Sequence, residues 1–278
     1  MILSGELAQQ NANDSAYKSF KEARTSYLEF NQRKADSPFK NENLRKAISY
    51  AINRKSLVNQ VLGDGSVVST GLVPSGMSKN PKTDEDFAKE AGNLTPYDKK
   101  KAKEYWEKAK QELKIDSLSF ELMASDTDSS KKVIEYIQGV LEDTLPGITV
   151  KPTPVPFSVR LDRSNAGDFD VLLGGWGADY ADPSSFTDLF VTGNSYNRGR
   201  WSNEEYDKAV KASGSQDASD EEARWADLQK ANELVSKESG IAPLYQLSEA
   251  HLVNEKVKGI VHHPAGASWD YKWTYIEK

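Results

Sequence analysis

The chain's pattern predicts an α/β assembly with a largely parallel sheet. Short apolar strands alternate with amphipathic helices, which implies βαβ units. The 278 residues are enough to bury a substantial core. There is no internal repeat and no low-complexity tract to suggest another architecture.

The elements follow in order. Tyr27-Leu28-Glu29-Phe30-Asn31 alternates as a strand, with Glu29 and Asn31 on one face, either solvated or lining a cleft. Leu44, Ala47, Ile48, Ala51 and Ile52 have helical spacing, as do Leu57, Val58, Val61 and Leu62, with Gly63 as a stop. The run GDGSVVSTGLVPSGM is a loop. Thr95-Pro96-Tyr97-Asp98 opens a helix, with Thr95 as N-cap and Pro96 in the first turn. Its buried stripe is Ala102, Tyr105, Trp106, Ala109 and Leu113. Leu118, Phe120 and Leu122 alternate as a strand. Val133 to Leu141 form an amphipathic helix ended by Pro146-Gly147. Ile148 and Val150 begin a strand that runs into Pro152, Pro154 and Pro156. Phe169 to Leu173 is a short strand covered on both faces. A helix starts near Asn203, and another opens with the capping box Ser219-Asp220-Glu221-Glu222 and runs to about Glu238. Ile241 to Leu247 is the last apolar strand.

Composition removes several classes of function. Without cysteine there are no disulfides, thiolate zinc sites, iron–sulfur clusters or cysteine nucleophiles. A net charge of −6 lacks the field of a nucleic-acid binder. No apolar run reaches the about 20 residues of a membrane helix. GxGxxG and GxxxxGK[ST] are absent, and so are HExxH and the GxSxG elbow. His262 and His263 would point to opposite faces of a strand and not share a metal. No cofactor, metal site or catalytic residue is expected. The one feature compatible with an enzyme is the cluster Asp170, Asp179 and Asp182, which keeps a carboxylate-based hydrolase open.

The most unusual segment is Gly174-Gly175-Trp176-Gly177-Ala178-Asp179-Tyr180-Ala181-Asp182-Pro183, placed after a buried strand. Ligands of open α/β sheets gather beyond the carboxyl ends of strands. Glycines allow close backbone approach, Trp176 and Tyr180 offer flat apolar surface, and Asp179 offers a carboxylate for an ammonium group. The same residues also fit a tight turn with core aromatics and an Asp cap for the helix after Pro183.

At GGWGADYADPSSF the chain resembles the oligopeptide-binding proteins, the extracytoplasmic solute receptors of peptide ABC importers, in their C-terminal half. YLEFNQ (27–32), LRKAISYAINRKSLV (44–58), VPSG (73–76), FDVLLGGWGADYADPSSF (169–186) and IAPLYQ (241–246) carry the resemblance, which extends over essentially the whole chain. DGSVVSTGLVPSG is similar to the Gram-positive branch. The resemblance implies a periplasmic-binding-protein-like type II lobe with a mixed, mainly parallel sheet flanked by helices. Residues 25–247 would form the C-terminal lobe. Residues 1–24 and 248–278 would be segments of an N-terminal lobe, most of which is not in this sequence.

The function implied is capture of peptides by backbone and terminus contacts, without catalysis, and delivery to permease subunits. Nickel chelates, haem or glutathione are the alternative ligands within the same fold. The location implied is the surface of a Gram-positive cell, on a lipid anchor outside this sequence. Asp179 would pair with the peptide α-ammonium. Gly175, Trp176, Gly177, Ala178 and Tyr180 would line the peptide, with backbone bonds from Trp176, Gly177 and Ala178. Phe157 falls at a pocket position, and Glu29 matches a cleft-facing glutamate beside Asn31. Ser164 and Leu173 stand where some relatives place arginines for the peptide carboxylate, with Arg160 and Arg163 nearby.

Overall fold

The computed structural model describes residues 2–3 and 5–278. In chain order the elements are β1 (Ile2–Leu3), α1 (Glu6–Asn11), β2 (Tyr17–Phe30), α2 (Glu42–Ala51) and α3 (Arg54–Ser56), which runs into a π-helical turn, Leu57–Leu62. Then come β3 (Val67–Val68), α4 (Phe87–Ala91), α5 (Lys99–Leu113), β4 (Leu118–Ser125), α6 (Asp128–Thr144), β5 (Ile148–Val155), α7 (Phe157–Ala166) and β6 (Val171–Gly177). The chain continues through α8 (Ser184–Thr187), α9 (Glu204–Ser213), α10 (Glu221–Lys237) and β7 (Ile241–Leu252). It ends in four two-residue strands, β8 (Val257–Lys258), β9 (Val261–His262), β10 (Trp269–Asp270) and β11 (Tyr275–Ile276).

The main sheet runs β1-β7-β2-β6-β4-β5, with β3 also on β7. It is mixed, but not mainly parallel. Only β6-β4 and β4-β5 pair in parallel, whereas β1-β7, β3-β7, β7-β2 and β2-β6 are antiparallel. The βαβ rule holds for the middle of the chain. β2 and β7, far apart in sequence, pair antiparallel and override it elsewhere.

One face of the sheet presents Leu28, Phe30, Phe120, Leu122, Val171 and Leu173 to α2, α5 and α6, whose Leu44, Ile48, Trp106 and Ile137 are fully buried. The other presents Tyr27 to a second layer holding Phe186, Phe190, Trp201, Tyr206 and Leu228. Arg54 locks α3 to β7 from inside, donating to the carbonyls of Pro243 (2.5 Å), Ser49 (3.0 Å) and Ile52 (3.3 Å) and to Ser49 Oγ.

Several local readings need correction. α5 begins at Asp98, not Thr95, because the Asp98 carboxylate accepts the Lys100 and Lys101 N–H groups, while the Thr95 hydroxyl is spent on the Ser69 carbonyl. α10 is capped by Asp220 rather than Ser219. β5 ends at Val155, before the last of the three prolines it runs into. It carries Pro152 and Pro154 within the strand, which is possible because β5 is the edge of the sheet. The glycine segment is not a turn after the strand, since Gly174–Gly177 belong to β6 itself. Both lobe boundaries expected from the sequence fall inside continuous strands, at 24/25 in β2 and 247/248 in β7. The β2–β7 register is irregular between Lys21 and Thr25.

Candidate functional site

β6 is held on one side by β2 along its whole length, with Gly174 opposite Tyr27, Gly175 opposite Ser26, Trp176 opposite Thr25 and Gly177 opposite Arg24. On the other side its pairing with β4 ends at Met123–Leu172. The Gly174–Gly177 stretch is therefore paired along one edge only. Glycine is needed at 175, where a Cβ would lie 3.1 Å from the Thr25 carbonyl oxygen. Between the glycines Trp176 stands half-buried, its ring edge-on to Tyr196 with centroids 4.8 Å apart.

Beyond β6 the chain is fixed by its own backbone. Ala178 N–H donates to the Ala23 carbonyl at 2.8 Å, and the Ala178 carbonyl accepts Gly266 N–H at 3.4 Å. Both main-chain groups of Ala178 are thus engaged within the protein. Asp179 follows, exposed, with its N–H on Ser185 Oγ at 3.2 Å, and among the described residues its carboxylate makes no ion pair. Tyr180 is exposed beside Ser184. The N-cap of α8 is Pro183, not an aspartate; Asp182, one residue earlier, accepts Ser184 N–H and is gripped by Arg224 through two bonds of 3.0 and 2.8 Å. Burial works against its charge, yet Arg224 and Ser184 hold the carboxyl below the usual aspartate range.

Across the face, Phe157 is 59% exposed at the start of α7 and carries the Arg160 guanidinium 5.0 Å above its ring. Arg160 Nε is buried without a partner. Burial first, and the positive charge of Arg198 second, push the group below the ordinary arginine value. Arg163 is committed elsewhere, to Glu121 (2.8 and 3.1 Å) and Asp168 (2.9 Å). Ser164 and Leu173 are buried. The face is therefore polarised, with the Asp179 carboxylate at one end and the guanidinium groups of Arg160 and Arg198 at the other, none of the three in an ion pair among the described residues.

Glu29 and Asn31 share a face as the alternation predicts, but neither faces a cleft. Glu29 is 2% exposed, and its Oε1 accepts Gly199 N–H at 2.6 Å. Asn31 donates to the carbonyls of Gly167 (2.9 Å) and Phe169 (2.6 Å). Both are covered by the segment around Gly199 and by the approach to β6. Tyr196, Arg198 and Gly199 were missed by sequence reasoning. They lie in Gly193-Asn194-Ser195-Tyr196-Asn197-Arg198-Gly199, whose only signal is an aromatic and an arginine within a turn-forming run.

Among the described residues no three His, Asp or Glu are placed to hold a metal ion, and no helix is long and apolar enough to cross a membrane. His251 and His262 are paired with Glu249 and Glu22.

A mixed sheet between helices, with a glycine-rich strand end opening onto an uncovered face, is the lobe architecture of type II periplasmic solute-binding proteins. The model of the bacterial extracellular solute-binding proteins, family 5 Middle, matches residues 3–198, and the chain belongs to that family. A dipeptide-binding protein of Lactococcus lactis is 38% identical over all of this chain, which spans 52% of that relative's length. Among solved structures, Listeria monocytogenes OppA bound to peptide superposes with a TM-score of 0.89 at 38% identity, covering 100% of this chain and 53% of that one. A peptide-binding protein of a peptide ABC transporter superposes with a TM-score of 0.78 at 57% identity, and 99% of that chain is covered by 82% of this one. The chain thus spans about half the length of the curated relatives it matches. These relatives are named as peptide- or dipeptide-binding proteins, and the family is one of extracellular solute-binding proteins.

Proposed function

We propose that this chain is the C-terminal lobe of an extracytoplasmic peptide receptor that serves an ABC importer and performs no catalysis. The observation that carries the reading is the half-paired Gly174–Gly177 edge lying next to the unpaired Asp179 carboxylate. An extended peptide can pair with such an edge through main-chain bonds that every sequence shares. Asp179 then meets the α-ammonium, Gly175, Trp176, Gly177 and Tyr180 lie along the chain, and Phe157 with Arg160 and Arg198 forms the positive end. Ala178 contributes as a brace, since its own backbone groups are occupied. The family name and the names of the relatives support peptides over nickel chelates, haem or glutathione.

Residues 25–247 form the ligand-binding lobe in this reading, and 1–24 and 248–278 belong with a second lobe. The β2–β7 irregularity near the boundary supports that division. Permease subunits are the partners, and the full-length receptor sits on the surface of a Gram-positive cell through a lipid anchor.

The test is calorimetry on the full-length receptor with a free tripeptide and its N-acetylated form. A charged hydrogen bond is worth about 1.5–3 kcal/mol, so Asp179→Ala should weaken the free peptide about tenfold or more. It should leave the weaker acetylated peptide unchanged. Equal affinity of both proteins for the free peptide would remove Asp179 from the site.

A further inference from the structure

The segment Gly193–Gly199 ties the floor of the lobe to the ligand face. From below, Gly199 N–H donates to Glu29 Oε1 at 2.6 Å, the Gly199 carbonyl accepts Gln32 N–H at 2.7 Å, and the Arg198 carbonyl accepts Arg33 Nε at 2.7 Å. The fit leaves no room: a Cβ on Gly199 would stand 2.3 Å from the Phe30 carbonyl oxygen. From above, Tyr196 meets Trp176 edge to face, and Arg198 reaches both the Tyr196 ring and Asn165 Oδ1. Whatever moves Gly199 therefore moves the wall of the Trp176 site.

Glu29 is poorly satisfied for so buried a carboxyl. Its second oxygen has no partner, and neither does the indole N–H of Trp176 on the other side of the segment. The charged and titratable groups that bear on Glu29 are Tyr27 on its own strand, Arg33 after it, Arg198 in the segment and Arg160 on α7. Burial pushes the carboxyl up to about 7, against the lowering effect of the Gly199 bond and the arginines.

We propose that Glu29 is a positioning residue: a buried carboxyl that touches no ligand, holds the 193–199 segment against Trp176, and couples proton uptake to that hold. With the segment lifted, Glu29 is hydrated and titrates as an ordinary glutamate, near about 4.3. With the segment docked it binds its proton more tightly. By linkage, docking weakens as pH rises from about 4.5 to about 7 and levels off above that. The coupling to ligand rests on the proposed function, while the hold on the segment does not.

The experiment is hydrogen exchange of residues 193–199 in the ligand-free chain at pH 5.5 and 7.5, corrected for intrinsic exchange, in wild type and Glu29→Gln. Opening should increase about tenfold or more between the two pH values in wild type and stay level in the variant. Equal increases in both would overturn the proposal. Because Glu29→Gln buries a new amide and could misfold, the Gly199 amide resonance of the wild type is followed as well. It should shift with a midpoint between about 6 and 8; a resonance that stays fixed from pH 5 to 9 overturns the proposal without any variant. Tripeptide calorimetry on full-length proteins completes the test. Wild type should lose affinity from pH 5.5 to 7.5 in proportion to the fall in docked fraction that exchange records, and Glu29→Gln should lose less. Equal losses would overturn the coupling. Binding to neither protein would refute the peptide reading and leave exchange to judge the hold.

Discussion

Arg224 on α10 grips the Asp182 carboxylate with two hydrogen bonds, so the loop that presents Asp179 is anchored three residues further on to a helix of the second layer. Both side chains are 29% exposed, partly withdrawn from water. Bidentate guanidinium–carboxylate pairs fix direction as well as distance. The anchor explains how an exposed aspartate on a loop is held in a definite place.

Asp182→Asn should loosen that loop. The expected loss is about 1.5–3 kcal/mol of stability near neutral pH, read from denaturant melts. The Asp182 carboxyl is held low in the fold, so its contribution is present above about pH 4 and fades as pH falls through its native value. The gap in stability between wild type and Asp182→Asn should therefore narrow as pH falls through the native value of that carboxyl. Curves that stay parallel throughout acid titration would show that the carboxylate is not what anchors the loop.

Gly175 and Gly177 should respond differently to the same change. A methyl at 175 meets the Thr25 backbone oxygen at 3.1 Å, whereas at 177 the nearest atom is the Arg24 side chain at 3.8 Å. Gly175→Ala should cost about 1–3 kcal/mol because strand backbone must shift. Gly177→Ala should stay within about 0.5 kcal/mol. Thermal melts of the two variants side by side decide it, and equal costs would mean that β2 yields more easily than its packing suggests.

Arg54 is fully buried and serves only neutral acceptors. Burial drives its guanidinium down to about 10, and no carboxylate pairs with it among the described residues. Arg54→Met keeps the bulk but takes the guanidinium donors away from the carbonyls of Ser49, Ile52 and Pro243, of which Ser49 keeps the Ile52 N–H. A loss of about 3 kcal/mol or more is expected in urea melts, with ligand contacts unaffected. A variant as stable as wild type would show that water takes over the three carbonyls.

Glu29 makes a second, global prediction. Its native carboxyl is raised to about 7, so the folded state binds the proton more tightly than the unfolded chain. This group's contribution to stability is present below about pH 4.5 and declines as pH rises to about 7, where it levels off. Urea midpoints of wild type and Glu29→Gln between pH 5 and 8 test the sign. A wild-type stability that gains on the variant as pH rises would contradict it.

The longer helices and strands β4 and β5 were legible because their signal is local. Leu44, Ile48 and Trp106 sit where helical spacing puts them, on the buried side. The alternation of Tyr27 to Asn31 marked the end of β2 and the shared face of Glu29 and Asn31, but missed the strand's first ten residues, Tyr17 to Ser26. It could not say what covers that face, because the cover, Gly199, arrives from 170 residues away. The same limit hid the antiparallel β2–β7 pairing, which joins strands more than 200 residues apart in sequence. Gly174–Gly177 looked like a turn because glycine disfavours strands. Pairing with β2 overrides that preference. Thr95 and Asp98 were both chemically able to cap α5, and only the position of the Ser69 carbonyl assigns the threonine to another task.

The prolines of β5 have a consequence for solubility. Val150 N–H and carbonyl point away from β4 and are met by the Glu142 and Gln138 side chains, so alternate residues of β5 turn their main-chain groups outward. Pro152 and Pro154 occupy the next two outward positions, where a free N–H would otherwise invite another chain. The sheet is thus left open at the Gly174–Gly177 end of β6, between β2 and β4, while its β5 border is chemically blunted, so neighbouring molecules have no place there to extend it.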